Sequence, residues 1–416
     1  MRVLLVTHYY FPDRKSTAKL MHDLAVEFRR QGHEVIVATP SPDLDAPMEV
    51  TEEEGVSVLR VRSGRFDGVS TVRRGWNECR LVADNWRLAS EFFRARPCQL
   101  LVWWTPSLFW ARLVERLKRL WNCTTYLLVR DVIPKWWVDC GVIRKGGLTH
   151  RIFRRLERRQ YEVADVIAVQ SPANMRYFEE EGLADRHRFD VLYNWTRTEG
   201  EPFHPSRLRR ELGAEDKVVF FYGGNLGRAQ DAACIVRLAE ALRDEPRAFF
   251  LAVGYGSDVP RMEAMIREKA LDNIALWPAV DQQTYLGMVR EADVGLITLA
   301  RGHNTQNFPG KMLGYIYFSK PVLAAINPGN DLGDLLSSSR AGFSCVNGED
   351  EKLRNFALRL LREPQLRRTM GENGRRMLEE VFAVGRAVRQ ILTHVPEQPG
   401  PARRREPEET SVGANV

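Results

Sequence analysis

Lys311 sits in Asn307-Phe308-Pro309-Gly310-Lys311-Met312-Leu313-Gly314, a loop and helix start just ahead of the apolar run Pro321-Val322-Leu323. A lysine beside unpaired backbone N–H groups at a helix start offers a point charge and aligned dipoles to a diphosphate. The plainer alternative is a Pro-Gly turn with a solvated lysine. Two other segments favour the phosphate reading. Gly223-Gly224-Asn225-Leu226-Gly227 lies between an apolar strand and a helical pattern, with Arg228 and Gln230 directly after it. The lack of side chains there lets a phosphate approach the backbone, although the run is not GxGxxG and also suits a tight turn that needs positive φ. Val253-Gly254-Tyr255-Gly256 is a further glycine-bearing strand end. Three such loops at one sheet edge assign a nucleotide or other phosphorylated ligand to the second half of the chain.

In the first half, Arg130-Asp131 closes an apolar run and precedes Val132-Ile133-Pro134. Asp131 can orient a hydroxyl or act as its base, and it can equally cap the segment that follows. His8 follows the first strand and can hydrogen-bond a substrate or be a satisfied structural histidine. The six cysteines are scattered, with no CxxC or Cys/His spacing for zinc, and read as free thiols of a reducing compartment.

The elements that must carry these residues alternate. Short apolar runs at Val3 to Val6, Val35 to Ala38, Val56 to Arg62, Leu100 to Trp103, Thr125 to Val129, Val166 to Val169 and Asp190 to Leu192 are separated by helical patterns, the first over Ala18 to Gln31 with Gly32-His33 as its stop. After a charged stretch, Arg197 to Asp216, the rhythm restarts at Val218 to Tyr222, Phe249 to Val253, Ile274 to Trp277, Val294 to Ile297 and Val322 to Ala325. That βαβ order predicts an α/β protein of two doubly wound domains with a cleft between them, beyond the strands' carboxyl ends. A chain of 416 residues suits two such cores. The first apolar run breaks at Thr7-His8, unlike a signal peptide, and no run approaches a membrane span. Beyond about Pro396, proline and charge without apolar periodicity predict disorder.

With these residues in view, the chain resembles the retaining glycosyltransferases of family 4, which have the GT-B fold of two Rossmann-like domains. The resemblance covers residues 1 to 393. It rests on Val6-Thr7-His8-Tyr9-Tyr10-Phe11-Pro12, Gly32-His33-Glu34-Val35, the turn from Tyr222 to Gln230, Glu291-Ala292-Asp293-Val294-Gly295, and Pro309-Gly310-Lys311 before Lys320-Pro321. Among subgroups it is similar to transferases of N-acetylfucosamine type that build bacterial O-antigen or capsule. The resemblance implies an acceptor-binding domain over 1–200, a nucleotide-sugar-binding domain over 201–380, a helix over 381–395 crossing back to the first domain, and a disordered tail over 396–416. It implies a UDP-sugar donor held by Gly223, Gly224, Asn225, Gln230, Gly254, Gln306, Asn307, Gly310 and Gly314, with Asp131, Lys311 and Arg228 in catalytic roles. His8, Arg14, Lys15 and Ser16 would face the acceptor, and no metal or other cofactor is expected.

The chain also departs from the family. The two glutamates that many members carry eight positions apart fall here on Gln306 and Gly314, and the usual arginine and lysine for the donor diphosphate fall on Asn225 and Gln230. The glycine pair of the first loop is replaced by Arg14-Lys15-Ser16-Thr17. Transfer does not require those carboxylates, because the barrier falls mainly through stabilisation of the leaving diphosphate and positioning of the acceptor. A nucleotide-sugar 2-epimerase of the same fold and a non-catalytic binding scaffold stand as alternatives.

Net charge is +7. Trp76, Trp86, Trp103, Trp104, Trp110, Trp121, Trp136 and Trp137 are interleaved with arginines in the first domain, and Arg144 to Arg159 forms a second basic run. This pattern predicts a protein peripheral on an anionic membrane; the resemblance implies that this is the inner, cytoplasmic face and that the acceptor is lipid-linked or another glycan. Nucleic acid is not expected as a partner, since no binding module for it is recognisable.

Overall fold

Val3, Leu4, Leu5 and Val6 are all fully buried, as uninterrupted apolar runs require of strands covered on both faces. Leu4 and Val6 pack with Phe93, Trp103 and Trp110, whereas Val3 and Leu5 face Phe28 and Val388. The computed structural model describes residues 1–396 apart from Arg14, Pro106, Cys140 and residues 303–307. Strands β1 (Arg2–Val6), β2 (Glu34–Ser41), β3 (Met48–Glu53), β4 (Val56–Arg62), β5 (Leu100–Trp104), β6 (Thr124–Leu128), β7 (Val166–Val169) and β8 (Phe189–Val191) form one sheet, in the order 3-4-2-1-5-6-7-8. Its pairings are parallel except β3 with β4. The edge strand β3 was not anticipated, because Met48-Glu-Val-Thr-Glu-Glu has little apolar content and its side chains stay largely in water.

Strands β9 (Val218–Asn225), β10 (Ala248–Tyr255), β11 (Ile274–Trp277), β12 (Val294–Thr298), β13 (Val322–Ile326) and β14 (Gly342–Val346) form a second, all-parallel sheet, in the order 11-10-9-12-13-14. The direction of winding reverses between β1 and β5 in the first sheet and between β9 and β12 in the second. Ligands of open α/β sheets bind beyond the carboxyl ends at such points.

The chain crosses between the sheets at residues 195–206. Arg197 donates to Asp23 (2.7 Å), Lys19 bridges Asp23 (2.5 Å) and Glu201 (2.6 Å), and Arg375 donates to the Thr198 carbonyl (2.7 Å). One helix over 381–395 was expected. Instead Leu378–Phe382 forms a π turn, Ala383 is extended and bridges Thr196, and a new helix runs over Val384–Leu392. That helix lies against the first helix, Ser16–Arg30, and buries Val388 and Ile391 in the core of Leu24 and Phe28. Past Pro396 the expected disordered tail lies outside the described residues.

Candidate active site

Strands β9 and β10 stay in register to their last residues, pairing Gly224 with Gly254 and Asn225 with Tyr255. A Cβ on Gly254 would stand 1.8 Å from the Gly224 carbonyl oxygen, and one on Gly256 would stand 2.2 Å from that of Leu226. Glycine is required here because two backbones approach closely. Gly224 itself has φ +119°, and the space where its Cβ would lie is 3.8 Å from Lys311 Cε. The Lys311 ammonium stands 3.7 Å from the centroid of the Tyr222 ring, and the Tyr222 hydroxyl donates to the Asn225 carbonyl (2.7 Å).

Lys311 opens the helix Lys311–Tyr317. One turn on, the Tyr315 hydroxyl donates to the Leu296 carbonyl of β12 (3.1 Å) and accepts from the Gly223 N–H of β9 (3.3 Å), which fixes this helix to both strands at the switch point. Burial alone lowers the Lys311 pKa to about 7, with no carboxylate near enough to oppose it among the described residues. A desolvated lysine, facing a tyrosine ring and bare backbone, lacks a counter-charge that a phosphate would supply.

The structure brings Gly223, Gly224, Asn225, Gly254 and Lys311 to this one end of the sheet. Asn225 and Gln230 side chains border Gly227, and Gln230 Oε1 is buried without a hydrogen-bond partner among the described residues. Arg228 and Gly310 are exposed, while Gly314 faces the Tyr285 ring, 3.7 Å from where its Cβ would stand. Gln306, Asn307 and Arg14 lie outside the described residues. Tyr285 and Tyr315 were not among the expected site residues. Tyr285 sits on the helix Gln282–Glu291, and nothing in its local sequence links it to Gly223.

Across the cleft, His8, Thr105 and Asp131 follow the carboxyl ends of β1, β5 and β6. Thr105 Oγ1 accepts from the Arg130 N–H (3.0 Å) and the Asp131 N–H (3.5 Å). Surrounding protein raises the Asp131 pKa and neighbouring Arg130 pulls it back, although the side chain itself reaches solvent. Arg130 lies between Trp104 and Trp195 (5.2 and 5.6 Å to the ring centroids), and none of its guanidinium nitrogens has a hydrogen-bond partner among the described residues. Sequence reading had passed over it.

His8 is only 7% exposed. Its ring packs edge-on to Phe66 (4.1 Å between centroids), Nε2 is 3.8 Å from Glu78 Oε1, and neither ring nitrogen has a hydrogen-bond partner among the described residues. Burial foremost, then Arg74 and Lys15, lower its pKa to about 3, so the ring is neutral. Lys15 pairs with Asp67 over the Tyr9 ring, and Ser16 is the first residue of the helix Ser16–Arg30. Among the described residues no group of three or more His, Cys, Asp or Glu side chains could hold a metal ion.

The aromatic and basic pattern of the first domain separates into two classes. Trp103, Trp104 and Trp110 are buried core, whereas Trp76 and Trp136 are exposed. Arg154 is tied to Glu157 (2.6 Å), Tyr177 and Glu181, and Arg159 to Glu115, so both serve the fold. Arg151 and Arg155 stay exposed beside Leu148 and Ile152. No described helix is long and apolar enough to cross a membrane.

Family models match the chain in two stretches, a glycosyl transferase 4-like domain over residues 17–195 and the glycosyl transferases group 1 domain over 206–377. The chain belongs to glycosyltransferase family 4, with the GT-B fold. This family 4 protein is 24% identical over 376 residues to the "Putative colanic acid biosynthesis glycosyl transferase WcaI" of Escherichia coli K12, covering 84% of this chain and 89% of that one. Among solved structures, sucrose-phosphate synthase from Thermosynechococcus elongatus superposes with a TM-score of 0.69 at 17% identity, covering 94% of this chain and 97% of that one. The Anabaena protein HepE in complex with UDP gives 0.65 at 15% identity, with 94% and 99% covered. These structural likenesses carry the fold.

Proposed function

We propose that this glycosyltransferase moves a sugar, of N-acetylated deoxyhexose class, from a UDP-sugar to a polyprenyl-diphosphate-linked or other glycan acceptor in bacterial surface polysaccharide synthesis. Transfer proceeds with retention at the anomeric carbon. The observation that carries the reading is Lys311, desolvated and with no carboxylate near it among the described residues, over the glycine-lined ends of β9 and β10. The colanic acid role in the name of the Escherichia coli relative and the UDP complex of HepE support it.

In this reading the donor diphosphate lies against Gly223, Gly224 and Gly254, with Lys311 on its oxygens and Arg228, Asn225 and Gln230 at the rim. As the glycosidic bond breaks, negative charge grows on the leaving phosphate, and Lys311 stabilises it in a low-dielectric setting where one charge counts for more than in water. The leaving phosphate then receives the acceptor proton on the same face, and Asp131 orients the hydroxyl. An epimerase would need carboxylates and histidines converging in the cleft and no acceptor. Among the described residues no carboxylate opposes the desolvation of Lys311.

The test is calorimetric titration with UDP, GDP and ADP, with and without Mg²⁺. Selective, Mg²⁺-independent UDP binding is expected. Preference for GDP or ADP would change the donor class, and no binding to any of them would return the chain to the scaffold reading.

We also propose peripheral attachment to an anionic membrane on the cytoplasmic side, through Trp136, Leu148 and Ile152 with Arg151 and Arg155. At about 1 kcal/mol per cation near a charged surface, Arg151→Gln with Arg155→Gln should weaken binding to phosphatidylglycerol vesicles about 30-fold. Unchanged vesicle binding would remove this patch.

A further inference from the structure

Two first-domain residues reach the segment that carries Lys311. Gln170 follows β7 directly, is buried, and donates from Nε2 to the Phe308 carbonyl of the second domain (3.3 Å). Tyr193, shortly past β8, packs its ring on that of Phe308, with 5.1 Å between centroids. Phe308 is buried and stands three residues ahead of Lys311, with Pro309 and Gly310 between them. Proline fixes its own φ and restricts the residue before it, so a displacement of Phe308 carries through to the start of the helix Lys311–Tyr317. A separate hydrogen bond crosses between the domains a few residues away in each: the Ala173 N–H donates to Asp331 Oδ2 (2.6 Å), at the first residue of the helix Asp331–Ser339.

We infer that Gln170 is a positioning residue for sugar transfer, which sets Lys311 against the donor diphosphate from the opposite domain, through the Phe308 carbonyl. The inference rests on the reading of Lys311 as the phosphate ligand, and adds what holds that lysine in place. The Gln170 amide is shielded from water, so its hydrogen bond has no ready substitute, and a buried carbonyl left without a donor is costly. Without Gln170 the segment relieves that cost by turning the Phe308 carbonyl towards solvent. The same turn draws Lys311 away from the Tyr222 ring and from the glycine-lined ends of β9 and β10. Charge on the leaving phosphate is then met by a lysine that must first be brought back into position, and preorganisation of that kind is what lowers the barrier.

The experiment compares Gln170→Leu, Gln170→Glu and Asp331→Ala in the full chain by two measurements. One is UDP affinity by calorimetry. The other is the NMR shift of the Lys311 ε-methylene protons in the ligand-free protein, which lie beside the Tyr222 ring and carry its ring-current shift. Leucine fills the space without a donor, and glutamate keeps the shape but turns a carboxylate oxygen to the carbonyl. Each should weaken UDP binding about tenfold, the worth of one well-made buried hydrogen bond, and move the Lys311 resonances towards those of a solvated lysine. Should one of the two fail to fold, the other decides. Asp331→Ala breaks the second cross-domain hydrogen bond and should leave both measurements near wild type. Unmoved Lys311 resonances in the Gln170 variants overturn the inference, whether or not UDP affinity falls. An equal response to Asp331→Ala also overturns it, because the effect would then belong to the domain interface as a whole. Failure of the wild-type protein to bind UDP, or moved resonances with full UDP affinity, would instead strike the reading of Lys311 as the phosphate ligand, since the resonances report its position without a donor.

Discussion

Lys311→Met should cost about 10- to 100-fold in UDP affinity and should raise the melting temperature of the ligand-free protein. Both effects have one cause. The ammonium is desolvated, faces the Tyr222 ring and has no carboxylate to balance it among the described residues, so burial holds its pKa at about 7. An ordinary lysine titrates near 10.4. Between those two values the unfolded chain keeps a proton that the folded protein has released, so this residue makes stability rise with pH across that window, and the full penalty of a buried charge applies below pH 7. Methionine fills similar volume without that penalty. The donor reverses the balance, since a diphosphate in contact gives the ammonium a partner worth about 1.5–3 kcal/mol. UDP binding at pH 8 should accordingly take up a proton, visible as a dependence of the calorimetric enthalpy on the buffer's ionisation enthalpy, and affinity should fall as pH rises above 7. A variant that binds UDP as the wild type does would strip Lys311 of its role. A variant that loses UDP binding with a lowered melting temperature would make the lysine a structural residue instead.

The tension at Lys311 also shows what could be read from the sequence. Its position before a helix and strand, and the glycine pairs at the ends of β9 and β10, are local signals, and the structure places them together. The core strands were legible because they are apolar throughout, whereas β3, with its glutamates, and β14, Gly-Phe-Ser-Cys-Val, carry weak patterns. What was illegible is long-range. Tyr285 meets Gly223 and Gly314 from a separate helix, and a side chain longer than alanine at position 314 would run towards the Tyr285 ring and the Leu286 methyl groups. That gives a physical context for glycine where many family members have glutamate. His8 and Glu78 meet only when the helix Thr71–Ala95 folds over β1, and although Arg154 finds Glu157 on its own helix, its second partner Glu181 and the Arg159 partner Glu115 come from other elements. A basic run in sequence is therefore a poor guide to which cations remain free.

Gly254→Ala should destabilise the second domain by about 3 kcal/mol or more and abolish UDP binding, although alanine adds a single methyl group. The added Cβ would lie 1.8 Å from the Gly224 oxygen and 2.9 Å from its carbonyl carbon. Both belong to backbone held in the β9–β10 register, so no side chain can swing aside to relieve the clash. Strand separation is the remaining relief, and it displaces Gly224 from beneath the Lys311 ammonium. Gly314→Ala is the matched control, because its Cβ would meet Tyr285 at an ordinary 3.7 Å in a helix that favours alanine over glycine by about 1 kcal/mol. Urea unfolding and UDP titration of the pair should therefore diverge, with Gly314→Ala near wild type in stability. Gly254→Ala protein that keeps both wild-type stability and UDP affinity would show that the close approach of β9 and β10 does not hold the phosphate site together.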